Sequence, residues 1–121
     1  MSNPHHHHGI DYIEISVTDI EAAKAFYGGA FGWSFNDYAP GYCGFVDHSR
    51  GDVEAGGFAR VEEVTGGGPL IVIYSVALEA SLAAVQSNGG VVTKDIFEFP
   101  GGRRFELTDP FGNRLAVWTP G

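Results

Sequence analysis

Residues 12–33 read YIEISVTDIEAAKAFYGGAFGW. Ile13, Ile15 and Val17 alternate with Tyr12, Glu14 and Ser16, the period of two of a strand with one apolar face. Past Val17 the period changes. Ile20, Ala23, Phe26 and Tyr27 fall at helical spacing and make a single apolar stripe. Thr18 and Glu21 read as a capping box, in which a hydroxyl and a carboxylate each satisfy a free N–H at the helix start. A strand therefore runs into a helix from Asp19 to about Ala30.

The chain then repeats itself. The stretches IDYIEISV (10–17) and PLIVIYSV (69–76) are both strand-like and both end in Ser-Val. A second helix is expected over about Leu78 to Ser87, with Leu78, Leu82 and Val85 on one side and Asn88-Gly89-Gly90 as its stop. Three short strands follow each helix. They are expected near Trp33–Asp37, Tyr42–Asp47 and Val53–Val61, and near Val91–Phe97, Arg103–Thr108 and Arg114–Trp118. The last two strands of each half meet through DHSRGD or DPFGN, where Pro110 presets φ and Gly112 permits a positive φ. The unit is βαβββ, used over about 10–64 and 69–121, with Gly66–Pro69 as the linker. So small a unit cannot bury its apolar face alone. The expected fold class is α+β, with two tandem βαβββ modules forming a curved, barrel-like mixed sheet, helices outside and a cleft inside.

Alternation assigns the faces. Tyr12, Glu14 and Ser16 should look into the cleft. Superposing the Ser-Val ends places Ile71, Ile73 and Ser75 there too, and Arg114, Ala116 and Trp118 from the exit strand.

Composition narrows the function. The formal net charge of -8 argues against nucleic acid and anionic membrane surfaces, which would repel it. No apolar run approaches the roughly 20 residues of a membrane helix, and no signal peptide pattern opens the chain. One cysteine, Cys43, excludes an internal disulfide and fits a reducing cytoplasm. Residues 1–9, with the run His5 to His8, read as a flexible tail of native or purification-tag origin, outside the site. Nucleophilic catalysis is poorly supported, because no Ser or Cys has an elbow or helix-start setting. No glycine cluster opens a helix as a phosphate-binding loop does.

The runs YIEISVTDIEAAKAFYGGAFGW (12–33) and FPGGRRFELTDPFGNRLAVW (99–118) resemble the vicinal oxygen chelate superfamily, which includes glyoxalase, bleomycin and fosfomycin resistance proteins and extradiol dioxygenases. The resemblance covers the chain from about residue 10 to its end. Its metal-using members hold a divalent ion with His, Gln or Glu at four cleft-facing places. The resemblance puts these at Tyr12, at Ile71, at Ala116 and within strand 53–61, near Glu54 or at Ala55, Gly56 or Gly57. Isoleucine and alanine cannot coordinate, and tyrosine would need a strongly lowered pKa. A divalent ion wants three or four protein donors, so Glu54 alone falls short.

The remaining candidates are binding residues. Glu14 is the candidate general base or acceptor if burial raises its pKa. Arg103 or Arg104 should face the cleft, where a guanidinium suits a carbonyl or carboxylate; Arg104 shares a face with Glu106. Tyr12, Trp33, Tyr42, Phe58 and Trp118 form an aromatic set that lines a pocket or packs the core. His48 sits on a turn, and Asp109 and Asn113 read as turn formers.

The expected function is to bind a small organic molecule in the concave cleft without the family's metal. The expected ligand-binding residues are Tyr12, Glu14, Tyr42, Ile71, Ile73, Arg104, Glu106 and Trp118. The alternative is a metal-dependent lyase, isomerase or dioxygenase-type enzyme with Glu14, Glu54 and Glu106 as unusual ligands for a divalent ion. The resemblance implies a homodimer, with the cleft within one subunit or across two.

Overall fold

The computed structural model describes residues 7, 10–65 and 68–120. Strand β1 spans Ile13–Val17, helix α1 Ile20–Phe31, β2 Ser34–Ala39, β3 Tyr42–Val46 and β4 Gly56–Arg60. The second module repeats the order with β5 Ile71–Tyr74, α2 Leu78–Ser87, β6 Val91–Phe99, β7 Gly102–Thr108 and β8 Arg114–Pro120. Apart from His7, the expected tail lies outside the described residues, as do residues 66 and 67 of the linker.

Each module folds into a four-stranded mixed sheet, in the orders β1-β4-β3-β2 and β5-β8-β7-β6. The first strand of each lies parallel to the last, and the remaining pairs are antiparallel. A helix covers one face of each sheet. Both helix-covered faces feed a single core that includes Ile15, Val17, Phe26, Tyr27 and Phe58 from the first module and Leu78, Val85, Phe105, Leu115 and Val117 from the second. Neither module alone supplies that layer, as the duplication implies. The sheets do not close into a barrel, because no ladder joins their inner edges, β1 and β5.

Two further contacts hold the modules together. The Tyr27 hydroxyl of α1 donates to Asp109 Oδ2 in the β7–β8 turn at 2.7 Å, and both groups are buried. Asn113 Nδ2 of the same turn donates to the Ser16 carbonyl at 2.8 Å. Asp109 and Asn113 are thus turn formers that also reach the other module.

The structure corrects two local expectations. The cap of α1 is Asp19, not Thr18: its carboxylate accepts from the Ala22 N–H at 3.0 Å, while Glu21 pairs with Lys24 at 3.3 Å. The shorter carboxylate one position later reaches the free N–H, so the expected capping box does not form.

The second correction concerns β5. Aligning the Ser-Val ends misplaces the repeat by one residue, since strand and helix starts match Ile13 with Ile71 and Ile20 with Leu78. Ile71 and Ile73 therefore pair with Leu115 and Val117 and pack against the core; Ile71, partly buried at the strand start, also reaches the edge of a hollow between β1 and β5, whereas Ile73 does not. Val72 and Tyr74, beside Ala116 and Trp118, take the free face. A slip of one residue exchanges the two faces of a strand.

Candidate functional site

The face of the first sheet away from the helices is built from cross-strand neighbours. Register places Glu14 of β1 beside Gly57, Gly57 beside Gly44, and Gly44 beside Asn36 of β2. The middle of this row has no side chains of its own, and longer ones from its borders lie across it. A Cβ on Gly57 would overlap the hydroxyl oxygens of Tyr42 and Tyr12, and one on Gly44 would overlap the Glu54 carboxylate. Glycine is required here for close approach, not for an unusual φ.

Two hydrogen-bonded groups occupy that floor. The Tyr12 and Tyr42 hydroxyls meet at 2.7 Å. Glu54 Oε2 accepts from Asn36 Nδ2 at 2.8 Å and from the Tyr38 hydroxyl. The Tyr12 phenol is held well above its ordinary pKa, first by desolvation, then by its bond to Tyr42 and the charge of Glu54. Tyr38 shifts the same way, chiefly through its bond to Glu54. Both phenols stay protonated donors at neutral pH.

Beside this floor lies a hollow of about 660 Å³ between the facing edges of β1 and β5. Tyr12, Glu14 and Ser16 line it from the first module, and Leu70, Ile71 and Val72 from the second. The turn before β8 adds Asn113 and Arg114. No hydrogen bond or ion pair within the described residues engages the Glu14 carboxylate, which is exposed. A wider depression of about 760 Å³ runs past the start of α1, but its charged groups are engaged: Asp19 caps the helix, Glu21 and Asp37 pair with Lys24, and Arg60 pairs with Glu62.

The second sheet has its own polar and aromatic face. Trp118 lies beside Arg104 in register, and Ala116 beside Glu106. Arg104 Nη2 donates to Glu106 Oε2 at 2.8 Å, and the guanidinium sits 5.5 Å from the Phe97 ring. Tyr74 meets Trp118 edge-on at 6.0 Å. Arg103 points the other way and pairs with Glu79 of α2 at 2.7 Å.

The expected site residues thus fall into three groups. Tyr12, Glu14 and Ile71 reach the hollow, with Tyr42 tied to it through Tyr12. Arg104, Glu106 and Trp118 lie together on the second sheet. Ile73 belongs to the core. Among the other aromatics, Phe58 is buried and Trp33 stacks on Tyr27 at 4.8 Å and Phe45 at 4.6 Å. Sequence reasoning missed Asn36 and Tyr38, whose spacing from β2 alternation was available but whose partner, Glu54, was not. It also missed Val72 and Tyr74, through the slipped repeat.

The donor set does not fit a divalent ion. Glu14, Glu54 and Glu106 do not converge: the described residues hold no group of three His, Cys, Asp or Glu placed to share a metal. Glu54 is engaged by Asn36 and Tyr38, and Glu106 by Arg104. Tyr12, at an inherited ligand place, is tied to the Tyr42 hydroxyl at 2.7 Å. Ala116 is buried and apolar.

Comparison with known proteins accords with this architecture. The chain is 34% identical over 121 residues to a glyoxylase-like domain-containing protein of Didymella fabae, covering 93% of this chain and 94% of that one. A glyoxalase/bleomycin resistance protein/dioxygenase family enzyme of Burkholderia phytofirmans PsJN superposes with a TM-score of 0.78 at 22% identity, over 93% of this chain and 98% of that one. A glyoxalase/bleomycin resistance protein of Albidiferax ferrireducens T118 gives 0.72 at 19% identity, over 92% and 98%. At these identities the two structures share the fold. The model of the Glyoxalase/Bleomycin resistance protein/Dioxygenase superfamily matches residues 9–117, and the chain belongs to that superfamily.

Proposed function

We propose that this protein binds a small organic molecule in the hollow between β1 and β5, without the metal that many relatives use. The observation that carries the reading is the exchange at the inherited places: a protonated phenol, apolar side chains and a glycine floor stand beside a hollow of about 660 Å³. Such a lining, mainly apolar with few polar groups, suits ligand binding by shape and hydrogen bonds. Trp118, Arg104 and Glu106 on the second sheet form a second polar and aromatic wall for the same class of ligand. Sequestration or metal-free turnover both follow from such a site, in a cytoplasmic setting that suits a buried lone cysteine. A homodimer is part of the proposal: exposed Val72 and Tyr74 on the free face of the second sheet favour cover by a second copy.

Three measurements test the reading. Thermal-shift screening of a metabolite and drug library should give a specific hit, with about 2.7 kcal/mol of stabilisation at a hundredfold excess over Kd. Metal analysis of protein lacking residues 1–8 should give far less than one divalent ion per chain. Stoichiometric metal that disappears on Glu54→Ala would favour the metal-enzyme alternative instead. Light scattering during size exclusion checks the dimer.

A further inference from the structure

We propose that the Tyr12–Tyr42 phenol pair is a hydrogen-bond donor site that holds the carbonyl oxygen of an uncharged ligand with an apolar body. The proposal rests on the reading of the β1–β5 hollow as a ligand site and names what that ligand must offer.

A count of protons supports it. Two hydroxyls bring two O–H protons, and the single O···O contact at 2.7 Å uses one. No second acceptor within the described residues engages either oxygen. When Tyr42 donates to Tyr12, the spare proton belongs to Tyr12, the member of the pair that lines the hollow. A hydroxyl that accepts one bond becomes a better donor for the next. Glu54, the nearby carboxylate, accepts from Asn36 and Tyr38 through Oε2 and from neither member of the pair, so that proton is left to a guest.

Gly57 sets the position. Its missing Cβ lets both hydroxyls rest on the sheet beside Glu14, its neighbour in register. The surroundings select the guest. Glu14 and Glu54 flank the phenol pair and disfavour an anion at that end, the one cation of the described lining, Arg114, coming from the second module, whereas Ile13, Leu70, Ile71 and Val72 offer apolar contact. An uncharged ketone, aldehyde or amide meets both conditions.

The test uses the full chain and 4-(dimethylamino)benzaldehyde, whose charge-transfer absorption moves to the red when its carbonyl accepts a hydrogen bond. N,N-dimethyl-p-toluidine, with a methyl in place of the formyl group, is the control. The aldehyde should bind the native protein, and Tyr12→Phe should weaken it roughly fivefold, the loss of one net hydrogen bond. The bound band should move to the blue in that variant, and the toluidine should bind both proteins alike. Gly57→Ala, which displaces the hydroxyls while keeping both tyrosines, should reproduce the effect; circular dichroism confirms that each variant folds. Equal affinity and an unmoved band in Tyr12→Phe would overturn the donor assignment and leave the hollow as a ligand site. Failure of both probes to bind at millimolar concentration would overturn the hollow, and the donor with it.

Discussion

Replacing Tyr27 by phenylalanine removes one oxygen from the contact that joins α1 to the β7–β8 turn. Asp109 is 2% exposed and accepts four hydrogen bonds: from the Tyr27 hydroxyl at 2.7 Å, Phe111 N at 2.9 Å, Asn113 N at 2.8 Å and Asn113 Nδ2 at 2.9 Å. Hydrogen bonds to charged groups contribute about 1.5–3 kcal/mol. Three donors remain in the variant, so the carboxylate is not stranded and the lower part of that range applies, about 1.5–2 kcal/mol. The phenylalanine ring keeps its place against Trp33, and no cavity cost is added. Equilibrium urea unfolding at fixed protein concentration, followed by tryptophan fluorescence, measures the loss. With a slope of about 1.5–2 kcal/mol/M the midpoint should fall by about 1 M. Asp109→Ala should cost more, since it also leaves the N–H groups of Phe111 and Asn113 without their acceptor. The double variant should then lose less than the sum of the two. A loss below about 0.5 kcal/mol for Tyr27→Phe would refute this account of how the modules are joined.

Other positions give equally definite expectations. Asp19→Ala should destabilise by about 1 kcal/mol and Thr18→Ala should be near neutral in thermal melts, because Asp19 is the cap. Gly56→Ala should cost more than about 3 kcal/mol by urea titration or prevent folding, since its Cβ would strike the Ile13 carbonyl, a backbone atom that cannot turn aside. Burial pushes the Cys43 thiol up to about 11 from an ordinary 9.0. The unfolded chain therefore loses this proton first as pH rises, so the contribution to stability is intact below pH 9 and is lost toward pH 11. Cys43→Ala should flatten that part of the stability profile relative to the native chain, and the native thiol should react slowly with a disulfide reagent at pH 8.

The duplicated strand–helix pattern was legible because local periodicity carries it. Ile15 and Val17 alternate into the core, and Ala23, Phe26 and Tyr27 return at helical spacing. The order and approximate bounds of the ten described elements follow from that; the superfamily was marked by the resemblance of residues 12–33 and 99–118 and is shown by the family match over 9–117. Faces were legible only where the strand was anchored. On β1 the alternation sufficed for Ile15 and Val17, while Ile13 at the strand start is exposed and borders the hollow. On β5 the shared Ser-Val ending suggested one alignment, while the packing of Ile71 and Ile73 against Leu115 and Val117 imposes another.

The candidate site was half legible for the same reason. Residues alternating along β1 identify Tyr12 and Glu14 as neighbours on one face, and the resemblance marks Tyr12 and Ala116 as places without an ordinary metal ligand; the corrected repeat moves the third such place from Ile71 to Leu70, which cannot coordinate either. Which groups meet across strands is a matter of register, and register depends on contacts distant in the chain. Tyr12 meets Tyr42 across 30 positions, and Tyr27 meets Asp109 across 82. The sequence by itself determined the modules and their apolar faces, because periods of two and 3.6 residues are properties of a single segment. Tertiary structure alone decided that Gly44 and Gly57 clear a floor for phenols and a carboxylate, and that Asp109 binds the other module. Those arrangements depend on side chains from separate strands and helices arriving at the same place.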